Sequence, residues 1–459
     1  MKDYPNYPVV PVSSIPELFR HCVRQYGVQT AFQRTSEKIT YQQLEAAVLR
    51  VAGSITFRKK FVHIRAEDPV LFAVSYFAAV LTGNTAVLID ANCCSDAIQL
   101  PPAALILTDA QIRSRLDAPA AGYEVLPVPD TDAVCTVVYS SGTSSAAKGV
   151  MLSQKNLCCN IVSGLEKYRV SSEDRLLQLI PYHHAFGLVC DLLAPLFSGA
   201  TICVPDSKAQ ALAQMARFRP TMLNAPPAVA QALLTLVQRT GSMDMLTGGQ
   251  LRKILCGGAG LRAEITQELL KWRIKALGCY GISECSPCIS VNRDDYYKPG
   301  SAGVPLRCNV IRIAEDGEIL IRGSNVMLGY YRDPEHTAQV IRDGEYHTGD
   351  LGYLDEEGFL YVTGRKSSLI VFDDGTKCLP ETLEERISTH PAVQEAIVFA
   401  QEINGRRSLC ARVYVPQTHL QDEVKLYILQ IPSHKPFTQI EFTSEPLPKT
   451  STGKLRRNS

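Results

Sequence analysis

Lys148 closes a loop of small hydroxyl residues. Residues 139–149 read Tyr-Ser-Ser-Gly-Thr-Ser-Ser-Ala-Ala-Lys-Gly and follow the apolar, β-branched run Val134–Tyr139. A buried strand opening into such a loop suits a polyphosphate. The hydroxyls of Ser140, Ser141, Thr143 and Ser144, with backbone N–H groups around Gly142, can wrap phosphate oxygens, and Lys148 adds positive charge. This is not a Walker loop, which needs a glycine directly before the lysine and a Ser/Thr after it; Ala147 and Gly149 stand there. Taken alone, the segment reads equally well as an ordinary Ser/Gly turn.

Further chemistry-bearing segments follow in order. They are Pro181-Tyr-His-His-Ala-Phe-Gly187, Tyr280-Gly-Ile-Ser-Glu284, Tyr346-His-Thr-Gly-Asp-Leu-Gly-Tyr353 with Gly364-Arg365, and Pro448-Lys-Thr-Ser-Thr-Gly-Lys454. With them the chain resembles the acyl-adenylate-forming superfamily of acyl-CoA synthetases, carrier-protein adenylation domains and luciferases, from about Ile39 to Arg457. Lys148-Gly-Val-Met-Leu-Ser-Gln-Lys-Asn-Leu157, Asn325-Val-Met-Leu-Gly-Tyr-Tyr331 and Gly364-Arg-Lys-Ser-Ser-Leu-Ile-Val371 give a narrower likeness to bacterial fatty acyl-CoA ligases.

The resemblance implies ATP-dependent activation of a carboxylic acid, here a fatty acid, to an acyl-adenylate, then transfer to the thiol of CoA with release of AMP. ATP, Mg2+ and CoA are the expected cofactors and co-substrates. Two alternatives stay open: loading of an acyl or aminoacyl group onto the phosphopantetheine of an acyl carrier protein, or a non-catalytic nucleotide- or acyl-binding relative. Neither half-reaction needs a protein nucleophile. The enzyme must neutralise phosphate charge, align the reactants and keep water from a reactive mixed anhydride.

By the same resemblance, Lys454 reaches the carboxylate and α-phosphate oxygens, a task that suits an ammonium on a flexible stem. Glu284 holds magnesium, as a carboxylate can for a hard cation with few protein ligands. Ser283 bonds the α-phosphate, and Tyr280 with Gly281 lies against adenine. Asp350 is acceptor-only when ionised and can take both ribose hydroxyls, while Arg365 offers a fixed fork to the ribose and phosphate side. Gly257, Gly258 and Ala259 let a flat purine approach the backbone. His184, more than His183, takes the place near the substrate carboxylate. Adjacent histidines point apart and do not make a metal site. Acid-pocket residues are expected among 224–227, 257–260 and 280–282. The lid is expected to pivot at Ser367 and to bring the hairpin Asp373-Asp-Gly-Thr376 to the thiol channel.

The chain departs from the family pattern in places. Ser145 and Ala147 replace a glycine and a proline, and Ser367 and Ser368 replace residues that are usually charged. The segment between Val415 and Ile440 leaves little room for the usual helices.

Positioning these groups needs a scaffold. Strand-like runs (Ala133–Tyr139, Ala200–Val204, Lys253–Cys256, Ala276–Tyr280) alternate with helical patterns (Gln154–Tyr168, Ala209–Arg217, Arg262–Trp272). That alternation predicts βαβ units and mainly parallel sheet. After Ser301 short strands with turn punctuation, such as Asp316-Gly317, predict a β-rich subdomain. The expected fold class is α/β: a large N-terminal ATP- and acyl-binding domain, residues 1–365, and a small, mobile α+β C-terminal lid, residues 366–459.

At 459 residues two or more domains are expected. A net charge of +1 argues against a dedicated nucleic-acid binder or anionic-membrane binder. The start Met1-Lys-Asp-Tyr-Pro lacks the apolar core of a signal peptide, and the apolar run Pro69–Leu81 is too short to span a bilayer. A cytoplasmic protein with no integral membrane segment is expected. The 15 cysteines are scattered, and the lone Cys285-Ser-Pro-Cys288 is a weak metal or redox signal. Reduced thiols are the default.

Overall fold

The run Pro69–Leu81 folds as a helix buried on every side from Val70 to Leu81. Asp68 starts it by accepting hydrogen bonds from the amides of Val70 (2.9 Å) and Leu71 (3.1 Å), two of the donors that a helix N-terminus leaves open. The helix leads into the buried strand Thr85–Leu88.

The computed structural model describes residues 4–92, 99–118, 130–139, 147–403, 405–433 and 435–448. The chain packs as two compact units. The first comprises Met1–Ile311, Ile321–Tyr346 and Asp355–Leu360; the second comprises Arg312–Leu320, His347–Leu354 and Tyr361–Ser459.

Among the described residues, the first unit holds two large sheets. In the six-stranded sheet the order is Gly329–Tyr330, Gly149–Ser153, Val134–Tyr139, Thr85–Leu88, Phe61–Arg65, Ala103–Thr108. Its last four strands run parallel, and the first two are added antiparallel. The nine-stranded sheet is parallel through its middle, where Thr201–Cys203, Arg175–Leu177, Met222–Ala225, Lys253–Cys256 and Lys275–Gly281 lie side by side. Cys288–Val291 and Val304–Pro305 extend it antiparallel. The fold class is therefore α/β with mainly parallel sheets. Parallel strands buried on both faces explain why these runs read as continuous apolar stretches.

A five-stranded sheet contains Asn309–Ile313, Glu318–Gly323, Glu345–Leu354, Ile341–Arg342 and Leu360–Arg365. In the second unit, Glu395–Ile403, Arg406–Tyr414 and Phe437–Thr443 form a three-stranded sheet. They share a core with the helices Pro380–Ile387 and Gln421–Gln430 through Leu383, Ile387, Val424 and Ile428.

The sequence reading needs adjustment in two places. The helix from Gln154 ends at Leu165, short of Tyr168, whose ring turns into the core beneath the Lys253 ammonium, 4.1 Å away. The segment 415–440, read as leaving little room for the usual helices, holds one of ten residues, Gln421–Gln430. Val424 and Ile428, one helical turn apart, bury its inner face.

Candidate active site

The carboxyl ends of parallel strands are where α/β sheets bind ligands, and Gly257 lies at such an end. It follows Lys253–Cys256, and its amide donates to Ala225 O on the neighbouring strand (3.3 Å). A Cβ added to Gly257 would meet Cys279 Sγ at 2.9 Å and the Phe186 ring at 3.0 Å, so a larger residue would have to displace both side chains. Gly258, at φ +83°, and Ala259 are exposed, and a Cβ on Gly258 would meet nothing within 4 Å. A closed wall beside an open backbone shelf fits a flat purine.

Phe186 arrives on the turn Pro181–Gly187. A Cβ on Gly187 would lie 2.1 Å from Pro181 O, so this residue must also be glycine. The His183 and His184 rings are 4.3 Å apart and tilted by 52°, and His183 Nε2 is 3.7 Å from Asp90 Oδ2. Burial holds both imidazoles below the usual histidine range, with Asp90 opposing it, so both are neutral at neutral pH. The chain then enters a π-helical turn, Gly187–Leu193, a geometry often found at functional sites. It carries Asp191, which the sequence reading missed.

Strand Lys275–Gly281 presents the half-buried Tyr280 and ends in a short turn, Ser283–Cys285. Glu284 Oε1 accepts a hydrogen bond from the Tyr330 hydroxyl (2.8 Å), and Lys148 Nζ sits 5.1 Å from the centre of the same ring. Tyr330 comes within reach because Gly329–Tyr330 pairs antiparallel with the strand that starts one residue after Lys148. Lys148, Tyr330 and Glu284 are thereby brought together. Among the described residues only Tyr330 bonds the Glu284 carboxylate, which leaves acceptor capacity for a hard cation. Asn160 and Asn325 brace the turn by donating to the carbonyls of Cys285 and Cys288. Among the described residues no three His, Cys, Asp or Glu side chains gather as a metal site. Cys288 Sγ lies 3.7 Å from Cys190 Sγ.

In the second unit Asp350 and Arg365 pair with each other, Nε to Oδ1 at 2.8 Å, with Asp350 buried and Arg365 half exposed. Next in sequence, Lys366 is held by Asp316 (2.6 Å) and Glu318 (2.8 Å), and Glu318 also accepts from the Gly349 amide. Ser367 and Ser368 lie in the short turn after Arg365. The strands Ile370–Val371 and Lys377–Cys378 form the hairpin around Asp373–Thr376, with Asp374 accepting from the Thr376 amide (3.1 Å). Ser140, Ser141, Gly142, Thr143, Ser144, Ser145 and Lys454 lie outside the described residues.

A family profile for AMP-binding enzymes matches residues 103–331, and one for the C-terminal domain of the same enzymes matches 382–454. A feruloyl-CoA synthase from Amycolatopsis sp is 31% identical over 350 residues, covering 72% of this chain and 70% of that protein. The chain belongs to the AMP-binding enzyme family. As a member of this acyl-adenylate-forming family it is an acid–thiol ligase of the AMP-forming type. A 2-succinylbenzoate–CoA ligase from Bacillus cereus (strain Q1) is 29% identical over 461 residues, 94% of each chain. The structure of an o-succinylbenzoate CoA synthetase from Bacillus subtilis, in complex with its acyl-adenylate intermediate, superposes with a TM-score of 0.83. It is 25% identical, and the match covers 100% of this AMP-binding enzyme and 98% of the other. Among the described residues no helix is long and apolar enough to cross a membrane.

Proposed function

We propose that this AMP-binding enzyme joins an aromatic carboxylic acid to CoA at the expense of ATP. The acid carboxylate attacks the α-phosphorus, the bond to the β-phosphate breaks, and pyrophosphate leaves. The CoA thiolate then attacks the acyl carbon and AMP departs. The observation that carries this reading is the meeting of Lys148 and Glu284 on Tyr330, the cation at its ring and the carboxylate at its hydroxyl, a set suited to a metal–triphosphate. The choice of acid moves from the fatty acid of the sequence reading to an aryl acid. It is supported by relatives named for succinylbenzoate and ferulate.

The residues take the following roles. Glu284, oriented by Tyr330, would hold Mg2+; when bound, the ion neutralises phosphate charge. Lys148 and the loop hydroxyls of residues 140–144 grip the phosphates. Gly257, Gly258 and Ala259 form the shelf for the base, and Tyr280, Gly281 and Ser283 flank it. Asp350 and Arg365 hold the ribose. His184, neutral beside Phe186, borders the carboxylate and excludes water from the adenylate. Lys454 is delivered to the bond being broken. Residues 366–459 act as a lid that pivots near Ser367 between the two half-reactions.

Hydroxamate trapping over a panel of aryl and fatty acids, with and without CoA, tests the proposal. Aryl acids should give adenylate that CoA consumes. Turnover confined to long-chain fatty acids, or thioester formation only on a carrier protein, would replace it.

A further inference from the structure

Asp191 is fully buried at the centre of the π-helical turn Gly187–Leu193. No lysine, arginine or histidine pairs with it among the described residues. Burying a lone carboxyl is costly unless its oxygens are used, and here they are. Oδ2 accepts from the amides of Leu179 (3.3 Å) and Ile180 (3.1 Å), and Oδ1 accepts from Asn224 Nδ2 (3.0 Å).

These partners are two edges of the site. Gln178 makes the last sheet-like hydrogen bond of its segment, to Cys203 O, after which the amides of Leu179 and Ile180 need another acceptor. They lead straight into the turn that carries His183, His184 and Phe186. Asn224 is the penultimate residue of the neighbouring strand Met222–Ala225, in register with Leu255, two residues before Gly257. Its Nδ2 also donates to Cys190 O (2.7 Å), while its Oδ1 is buried without a partner among the described residues. The orientation of Asn224 therefore depends on finding acceptors, not donors, at residues 190 and 191.

We propose that Asp191 is a positioning residue for acid activation, whose carboxyl clamps the histidine turn to the Asn224 edge of the acid pocket. This rests on the aryl-acid ligase reading given above. Asp191→Asn is the informative variant, since it fills the same space but sets an NH2 group against either the Asn224 amide or the two backbone amides. The clamp opens without leaving a cavity. Burial, opposed by the hydrogen bonds to Ile180, Asn224 and Leu179, pushes the carboxyl up to about 7. The titratable groups that bear on it are Tyr182, from the turn, and Cys190, beside it on the same helical turn. Burial raises Tyr182, and the Cys288 thiol together with burial raises Cys190, so both are uncharged near neutrality. Asn224, from the sheet, does not titrate.

Pyrophosphate exchange on the full-length enzyme tests this. Asp191→Asn should raise KM for the acid about tenfold, the cost of one or two spoiled buried hydrogen bonds, with KM for ATP unchanged. It should also lose the wild-type inflection of kcat/KM near pH 7. The swap Asp191→Asn with Asn224→Asp, which restores a donor facing an acceptor, should recover part of the acid KM. Leu192→Ala, a cavity on the same turn, controls for loss of stability and should leave the ratio of the two KM values as it was. Asp191→Asn changing both KM values alike, as Leu192→Ala does, or leaving the acid KM unmoved, would overturn the proposal. If wild-type enzyme activates no acid, the ligase reading fails separately. The clamp is then decided by amide hydrogen exchange over residues 179–187: faster exchange in Asp191→Asn upholds it, and unchanged exchange refutes it.

Discussion

Loss of the Lys454 ammonium is expected to affect only one half of the reaction. In Lys454→Ala, pyrophosphate exchange should fall by a factor of about 1000, the scale of losing a charged contact made in the transition state. A preformed acyl-adenylate should still react with CoA, as rapid-quench assays of each half would show. Equal losses in both halves would contradict the role. Tyr330→Phe removes a hydroxyl that both Glu284 and Tyr346 engage. Without the phenolic hydrogen bond of 2.8 Å the carboxylate loses its orientation, and affinity for Mg2+, titrated in the exchange assay, should drop about tenfold. The Tyr330 ring remains to carry Lys148, so KM for ATP at saturating metal should stay close to wild type.

Between Arg365 and the strand Ile370–Val371 the chain makes one short turn, and a pivot there has few residues in which to absorb backbone rotation. Ser367→Pro fixes one φ angle and should slow thioester formation several-fold more than adenylate formation. An unchanged ratio of the two rates would move the pivot away from Ser367. At this scale much was legible in the sequence. The parallel strands and the buried helix Pro69–Leu81 follow from apolar periodicity, a local signal, whereas the hairpin at Asp373–Thr376 was expected from the family resemblance. The Tyr330–Glu284 contact was not, although both residues sat in segments read as informative. It depends on pairing strands about 180 residues apart, and pairing leaves no local mark. Asp191 was hidden differently. In the run Gly187-Leu-Val-Cys-Asp-Leu-Leu193 a single carboxylate looks like polar punctuation, and its use appears only once the amides of Leu179 and Ile180 are found without strand partners.

For the molecule as a whole, Asp191 also sets a pH dependence of stability. Its carboxyl titrates near 7 when folded and near 4 when unfolded, so the folded state holds the proton more tightly. The contribution is fully present below the unfolded value and is lost as pH rises through about 7, and its size is on the order of 4 kcal/mol at most. Denaturant midpoints should therefore fall from pH 5 to pH 8 more steeply in wild type than in Asp191→Asn. Parallel curves would show that the carboxyl is ionised throughout.

Gly257 has a wider consequence. Its backbone is pressed on one side by Phe186 and Cys279 and is open, through Gly258, on the other. Under the proposed function, this strand end would be a party wall between the chamber for the acid and the berth for the nucleotide. Remodelling it to admit a bulkier acid would disturb the purine at the same stroke. Natural or engineered drift in substrate choice should therefore accumulate at positions away from Gly257, which stays fixed while its neighbours vary.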